Sequence, residues 1–208
     1  PRQLMERLLA DRAYYDASGG GVTFSGGEAT LHPRFLREVL ERCRAVGLHT
    51  TLETAGTFSF EPLEPMLRML DLIYFDLKLL DPELHRRYVA PNRRNHPADR
   101  PAGGSMMTSL DRIVTNARHL VEGGFPVEFR TPLVPGLTDT ADNVQRIAAF
   151  LGELGVRSLH LLQYNPLGES KINTLAGEFP RLGLAPQTDA ELTQVESLFR
   201  THGIETRR

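Results

Sequence analysis

The motif Ser25-Gly26-Gly27-Glu28 contains the residue types that most directly suggest chemistry. It follows a β-branched and aromatic run at residues 22–24 and precedes a helical pattern, which predicts a turn between a strand and a helix. Two adjacent glycines let a ligand approach the backbone where a Cβ would collide with it. Glu28 offers a carboxylate beside exposed N–H donors. The motif therefore predicts a binding site for a cationic group.

Polar residues also follow four later strand-like segments, at residues 48–52, 72–75, 127–129 and 159–162. In a parallel barrel or part-barrel, ligands bind at the C-terminal ends of the strands. The polar residues at these ends are Glu53, Thr54, Asp76, Lys78, Arg130, Gln163 and Asn165. Any one of them has a plain alternative as a helix cap or a rim ion pair, but the full set predicts one site. Because carboxylates and cations are mixed, we expect a ligand that carries both charges.

One unit recurs along the chain: a short strand-like run, a polar cluster and an amphipathic helix pattern. The helical patterns cover residues 1–15, 34–46, 62–70, 82–88, 109–122, 142–154 and 189–201, and a return strand is possible near residues 203–204. This alternation predicts an α/β fold with a partial parallel (β/α) barrel. The 208 residues predict a single domain, 1–208, with residues 91–108 as a loop insertion and residues 168–188 as a second irregular stretch.

The overall composition excludes several functional classes. The net charge is −2 and the pI is near 6.4, so no global electrostatic feature favours nucleic acid or a membrane as a partner. No apolar run approaches the ~20 residues that span a bilayer. The single cysteine excludes an internal disulfide framework and favours the cytoplasm. None of the seven histidines lies in a helical i, i+4 ligand pair with a carboxylate between, so we expect no histidine metal site.

Five sequence segments, in this order, resemble the activating enzymes of glycyl radical enzymes, a family within the radical S-adenosylmethionine (SAM) superfamily that pyruvate formate-lyase activating enzymes typify. The segments are residues 21–28, 47–56, 71–78, 129–136 and 161–168. The resemblance runs from residue 20 to residue 171, and the 91–108 insertion is less familiar. Gly-Gly-Glu alone is a weak signal, whereas five segments in order are a specific one. The resemblance implies a partial TIM-type barrel of the radical SAM type.

The resemblance also implies how SAM is bound. Gly26, Gly27 and Glu28 would hold its amino group, and Lys78 would pair with its carboxylate as a point charge. The remaining residues of the implied pocket are Arg130 and Asn165. Asn165 stands where the best-known member has a histidine, and an amide is a reasonable hydrogen-bonding substitute.

A monovalent-cation site beside the SAM carboxylate is a further implication of the resemblance. Its ligands would come from Glu53, Thr54, Asp76 and the carbonyl of Tyr74. The family more often has Asp where Glu53 stands, so the chain departs from the family pattern at this site.

The iron–sulfur ligands are the main departure from the family. Members hold a [4Fe–4S] cluster on a CxxxCxxC loop after the first strand, and three thiolates leave one iron open for SAM. Here the helical pattern places Cys43 on one face with Phe35, Leu36, Val39, Leu40 and Val46, which predicts a cysteine packed in the core. The resemblance implies that the first strand and the cluster ligands lie upstream of Pro1. We therefore expect no catalytic residue in this chain, and no SAM cleavage by this chain alone.

The implied activity of the intact protein is reductive cleavage of SAM to a 5′-deoxyadenosyl radical, in order to activate a glycyl radical enzyme. The implied electron donor is a flavodoxin or a ferredoxin. Two other hypotheses remain open from the sequence. One is a cluster-free, non-catalytic domain that binds SAM or a partner protein. The other is an aldolase-like barrel in which Lys78, near Asp76, forms a Schiff base, which borohydride trapping would detect.

Overall fold

The computed structural model describes residues 1–89, 107–167 and 182–208, which form two compact units. The first unit contains residues 1–76 and the described part of 90–128, and the second contains residues 77–89 and the described part of 129–208. The predicted insertion at residues 91–108 lies outside the described residues except for its last two positions. Most of the irregular stretch at residues 168–188 also lies outside them. The single-domain organisation stays a prediction.

The described helices and strands alternate along the chain. The helices are α1 (Arg2–Ala10), α2 (Arg12–Ser18), α3 (Pro33–Ala45), α4 (Phe60–Leu67), α5 (Pro82–Leu84), α6 (Ser109–Glu122), α7 (Ala141–Glu153) and α8 (Asp189–Thr201). The strands are β1 (Gly21–Phe24), β2 (His49–Thr54), β3 (Leu72–Asp76), β4 (Val127–Pro132), β5 (Ser158–Leu162) and β6 (Glu205–Arg207). A 3₁₀ turn (Ala29–Leu31) precedes α3, and a π-helical turn (His85–Val89) follows α5.

In the first unit, β1 pairs in parallel with β2, and β2 pairs in parallel with β3. Gly21 lies opposite His49, and a Cβ at Gly21 would lie 2.1 Å from the His49 carbonyl oxygen, so glycine permits the close approach of the two strands. Beneath these strands, Val22 packs with Val39 and Cys43 of α3 in a buried cluster. This packing fixes the end of β1 and hence the position of the glycine turn.

In the second unit, residues 129–132 of β4 pair in parallel with β5, and β5 pairs in parallel with β6. Buried apolar residues alternate along these strands, with Phe129 on β4 and with Leu159 and Leu161 on β5. The Leu77 N–H donates to the Arg130 carbonyl at 2.9 Å, so the chain after β3 continues alongside β4. The parallel strands and intervening helices of both units confirm the predicted α/β fold class. All five predicted strands form, and β6 is the predicted return strand, two residues later than expected.

Three local predictions differ from the structure. The helix expected at residues 1–15 is broken at Asp11 (φ −94°, ψ 8°), because Arg12 begins a second helix and donates to the Val46 carbonyl at 2.6 Å. The helix expected at residues 82–88 is one α-turn followed by the π-helical turn. Phe35 and Val46 are exposed, since the buried stripe of α3 is narrower than the predicted face. None of the described helices is long and apolar enough to cross a membrane.

Candidate functional site

The glycine turn after β1 is open. Gly26 has φ +119°, a conformation that L side chains rarely adopt. A Cβ built on Gly26 or on Gly27 meets no described atom within 4 Å, and both residues are exposed. The backbone geometry therefore requires glycine at Gly26, while the space beside both glycines is available to a ligand.

The carboxylate of Glu28 is held in one orientation by donors from two segments. Thr30 donates to Oε1 through its hydroxyl at 2.8 Å and through its backbone N–H at 3.3 Å. The Thr54 hydroxyl lies 3.0 Å from Oε1 and 2.9 Å from Oε2, and the Ala55 N–H donates to Oε2 at 3.2 Å. The turn therefore presents a fixed anionic group beside open backbone.

The loop after β2 is itself held in place. The Gly56 N–H donates to the Thr54 hydroxyl at 3.0 Å, so the single proton of that hydroxyl is directed to Glu28. Asn116, buried on α6, donates to the carbonyls of Gly56 and Phe58 at 2.9 and 2.8 Å. A chain of contacts thus runs from α6 through this loop to Glu28.

The residues predicted for a cation site lie on two adjacent strands. Glu53 of β2 is opposite Tyr74 of β3 in the register, and Asp76 is two residues further along the same half-buried face. The side chain of Thr54, in contrast to these half-buried residues, is buried, and its hydroxyl contacts Glu28. Within the described residues, no group of three His, Cys, Asp or Glu side chains is arranged to hold a metal ion. The cation site stays a prediction.

The second unit contains the other predicted SAM residues. Lys78 is half-buried between the buried side chains of Leu77 and Leu79. Arg130 is half-buried on β4, opposite His160 of β5 in the register. A histidine beside Arg130 was not singled out as a site residue from the sequence, since strand register is needed to bring the two together.

Asn165 lies in an exposed turn after β5, where its Oδ1 accepts the Leu167 N–H at 3.0 Å. Within the described part of the chain, its side-chain NH₂ group has no acceptor and can donate to a ligand. The preceding Gln163 donates to the carbonyl of Gln187 at 2.8 Å, so this strand-end amide is a structural contact. The role of Asn165 in ligand binding stays a prediction.

Gln187 is a buried residue that the sequence analysis missed. Its Nε2 donates to the Leu133 carbonyl at 3.1 Å and to Asp139 Oδ2 at 2.8 Å, and its Oε1 accepts the Tyr164 N–H at 3.2 Å. It therefore joins the loops after β4 and β5. No periodic pattern marks it, because it lies outside any helix or strand.

Cys43 is buried with an exposed fraction of 0%, and its Sγ lies 3.9 Å from the Sδ of Met5. Burial raises the pKa of the thiol, which disfavours the thiolate that metal binding requires. The prediction that Cys43 is a core residue is confirmed. Since Cys43 is the single cysteine of the chain, the residues of this chain do not fit a [4Fe–4S] cluster, which needs several thiolates.

Comparison with known proteins identifies the superfamily of this chain. The sequence profile of the Radical SAM superfamily matches residues 2–151. The (2S)-3-sulfopropanediol dehydratase activating enzyme of Klebsiella oxytoca is 34% identical over 176 residues, which cover 83% of this chain and 50% of that protein. Pyruvate formate-lyase 1-activating enzyme of Escherichia coli K12 is 30% identical over 203 residues, which cover 96% of this chain and 76% of that enzyme.

A solved structure agrees with the sequence comparisons. A domain of a pyruvate-formate lyase-activating enzyme from Bacteroides vulgatus superimposes with a TM-score of 0.66 at 26% identity, covering 90% of this chain and 98% of that one. The chain belongs to the Radical SAM superfamily, whose members use SAM and a [4Fe–4S] cluster. The resemblance to glycyl-radical-enzyme activating enzymes is confirmed. The chain spans half the length of the Klebsiella relative.

Proposed function

We propose that this chain contains the SAM-binding part of an activating enzyme. The enzyme cleaves SAM reductively and generates a radical on a glycine of a partner enzyme. The observation that carries the proposal is the carboxylate of Glu28, oriented by Thr30, Thr54 and Ala55 beside the open glycine turn. An ammonium group is the natural partner of such a carboxylate, because a charge-assisted hydrogen bond is about twice as strong as a neutral one.

The proposal assigns a binding role to each predicted SAM residue. Glu28 accepts the SAM amino group, and the absence of side chains at Gly26 and Gly27 leaves room for the amino-acid part of SAM. Lys78 pairs with the SAM carboxylate. Arg130 and Asn165 complete the set of polar residues that bind the same ligand.

The proposal includes a monovalent cation held by Glu53, Asp76, the Tyr74 carbonyl and Thr54. The register that places Glu53 opposite Tyr74 supports it. Thr54 would then have two functions, because its hydroxyl already donates its proton to Glu28. A cation next to the SAM carboxylate would add to the charge that Lys78 supplies.

The partner and the electron source are proposed from the relatives. Two of them are named for activation of pyruvate formate-lyase 1 and of (2S)-3-sulfopropanediol dehydratase, so we propose a glycyl radical enzyme as the protein substrate here. A flavodoxin or ferredoxin is the proposed electron donor. The described residues contribute binding and orientation of SAM, whereas the electron comes from the cluster of the whole protein.

The test uses the full-length protein from its source, reconstituted with iron and sulfide under anaerobic conditions. With dithionite and SAM, we expect 5′-deoxyadenosine and methionine in equal amounts, and a much lower yield from the Glu28→Gln variant. A reconstituted protein that binds SAM without cleaving it would support the cluster-independent binding domain instead. An imine at Lys78, trapped by borohydride with an aldehyde substrate, would support the aldolase hypothesis and overturn this one.

A further inference from the structure

Asn143, in the first turn of α7, is buried with an exposed fraction of 0%, and its side-chain amide makes three hydrogen bonds. Its Nδ2 donates to the Lys78 carbonyl at 2.9 Å and to the Thr138 carbonyl at 2.8 Å. Its Oδ1 accepts the Leu80 N–H at 3.1 Å. Thr138 lies just before α7, whereas Lys78 and Leu80 lie in the segment after β3, so the side chain of Asn143 joins the start of its own helix to that segment.

The N-terminus of α7 is capped by a residue other than Asn143. Thr140 is the N-cap, and its hydroxyl accepts the backbone N–H of Asn143 at 3.4 Å. Asn143 nevertheless lies on the buried stripe of the helix together with Val144 and Ile147, where an apolar residue would ordinarily stand. Burying an amide is unfavourable unless its hydrogen bonds are made, and here they are all made to backbone groups.

The segment that Asn143 holds carries Lys78. On one side of Lys78, the buried Leu77 donates its N–H to the Arg130 carbonyl at 2.9 Å. On the other side, Leu79 is buried and the Leu80 N–H reaches Asn143. The Lys78 carbonyl itself accepts from Asn143. The backbone of Lys78 therefore has little freedom. Its fixed Cα position limits where the flexible side chain can place the ammonium group.

We propose that Asn143 is a positioning residue that fixes the backbone of Lys78 so that the ammonium group meets the carboxylate of the ligand. The proposal rests on the proposed function, in which Lys78 pairs with the SAM carboxylate. Asn143 itself does not touch the ligand. Its contribution to affinity is therefore made entirely through Lys78, and this dependence distinguishes it from a residue that merely stabilises the fold.

A double-mutant cycle in the full-length, reconstituted protein tests the dependence by measuring the dissociation constant of SAM. The variants are Asn143→Ser, Lys78→Met and the double substitution. We expect Asn143→Ser to weaken SAM binding about tenfold, and to cause no further loss once Lys78 is Met. If the losses of SAM affinity in the two single variants multiply in the double variant, the proposal is overturned, since Asn143 would then act independently of Lys78.

A matched control is Gln187→Ser, because Gln187 is a buried amide of the same unit whose side chain contacts Leu133, Asp139 and Tyr164. Its effect on SAM affinity is expected to multiply with that of Lys78→Met. If wild-type protein does not bind SAM at all, the proposed function fails. If Lys78→Met weakens SAM binding and Asn143→Ser does not, the proposed function stands and the role of Asn143 is wrong.

If Asn143→Ser does not fold, hydrogen exchange in the wild-type protein tests the positioning role of Asn143. The Leu80 amide, held by Asn143, is expected to exchange slowly and to become more protected when SAM binds. Exchange of this amide that is fast, or that does not change with SAM, would contradict a role of this contact in holding Lys78 for the ligand.

Discussion

The hydroxyl of Thr54 lies within 3.0 Å of both carboxylate oxygens of Glu28, although 26 residues separate them in the chain. Thr54 ends β2 and Glu28 follows the turn after β1, so the parallel pairing of the two strands brings them together. Because Gly56 donates to the same hydroxyl, the Thr54 proton is available to the carboxylate alone. The orientation of Glu28 thus depends on the pairing of β1 with β2 as well as on the turn that contains Glu28.

Replacing Thr54 with valine tests the importance of this contact. Valine preserves the shape of the side chain but removes the donor to Glu28, and a hydrogen bond to a charged group contributes about 1.5–3 kcal/mol. We expect SAM affinity to fall about ten- to a hundredfold in calorimetric titrations of the full-length, reconstituted protein. Thr54→Ser keeps the hydroxyl and is expected to stay near wild type. Wild-type affinity in the Thr54→Val variant would contradict a role of this hydroxyl in holding Glu28 for the ligand.

Gly56 is expected to tolerate no side chain. It has φ +72°, and a Cβ would lie 2.1 Å from Cζ of the buried Phe75. Gly47 has φ +67° but meets nothing within 4 Å, so it provides a matched control for backbone strain alone. In urea unfolding, we expect Gly56→Ala to cost about 1–3 kcal/mol more than Gly47→Ala. Similar losses would show that the loop shifts away from Phe75 without penalty.

The elements that the sequence predicts most accurately are those with local signals at their ends. α6 and α8 have the bounds expected from the sequence, and each begins with a capping box, formed by Thr108 with Asp111 and by Thr188 with Glu191. The glycine turn and its carboxylate were also predicted from neighbouring residues. Contacts within three or four residues are sufficient for such features.

The features that escaped prediction depend on tertiary contacts. Thr30 is an ordinary turn residue in the sequence, and its contact with Glu28 appears only once the 3₁₀ turn forms. Asn116 and Asn143 did leave a signal, since each is an amide on the buried stripe of an amphipathic helix. Their partners, the loop after β2 and the segment around Lys78, cannot be found from helical periodicity.

The thiol of Cys43 is expected to be unreactive in the folded protein. It has no exposed surface, and burial raises its pKa above the ordinary value, so the reactive thiolate is disfavoured at neutral pH. Iodoacetamide at pH 8 should label Cys43 only as fast as the core opens, and rapidly in urea. Native labelling at the rate of the unfolded chain would contradict the packing of Cys43 against Met5.

The capping box of α8 should make a pH-dependent contribution to stability. Hydrogen bonds from the backbone and side chain of Thr188 lower the pKa of Glu191. A lowered folded-state pKa stabilises the protein above the unfolded-state pKa, about 4.3, and this stabilisation is lost as pH falls through the folded-state value. The loss of unfolding free energy caused by Glu191→Gln should therefore be larger at pH 7 than at pH 3. In a Thr188→Ala background this pH dependence should shrink, and an unchanged pH dependence would exclude Thr188 as its cause.

The most direct test of the proposed SAM site is the affinity of the full-length, reconstituted protein for SAM when Glu28 is replaced with glutamine. Glu38→Gln is the control, because Glu38 forms an exposed ion pair with Arg42 on α3. We expect Glu28→Gln to weaken SAM binding at least about tenfold and Glu38→Gln to bind SAM as wild type does. Wild-type affinity in the Glu28→Gln variant would contradict the assignment of this carboxylate to the SAM amino group.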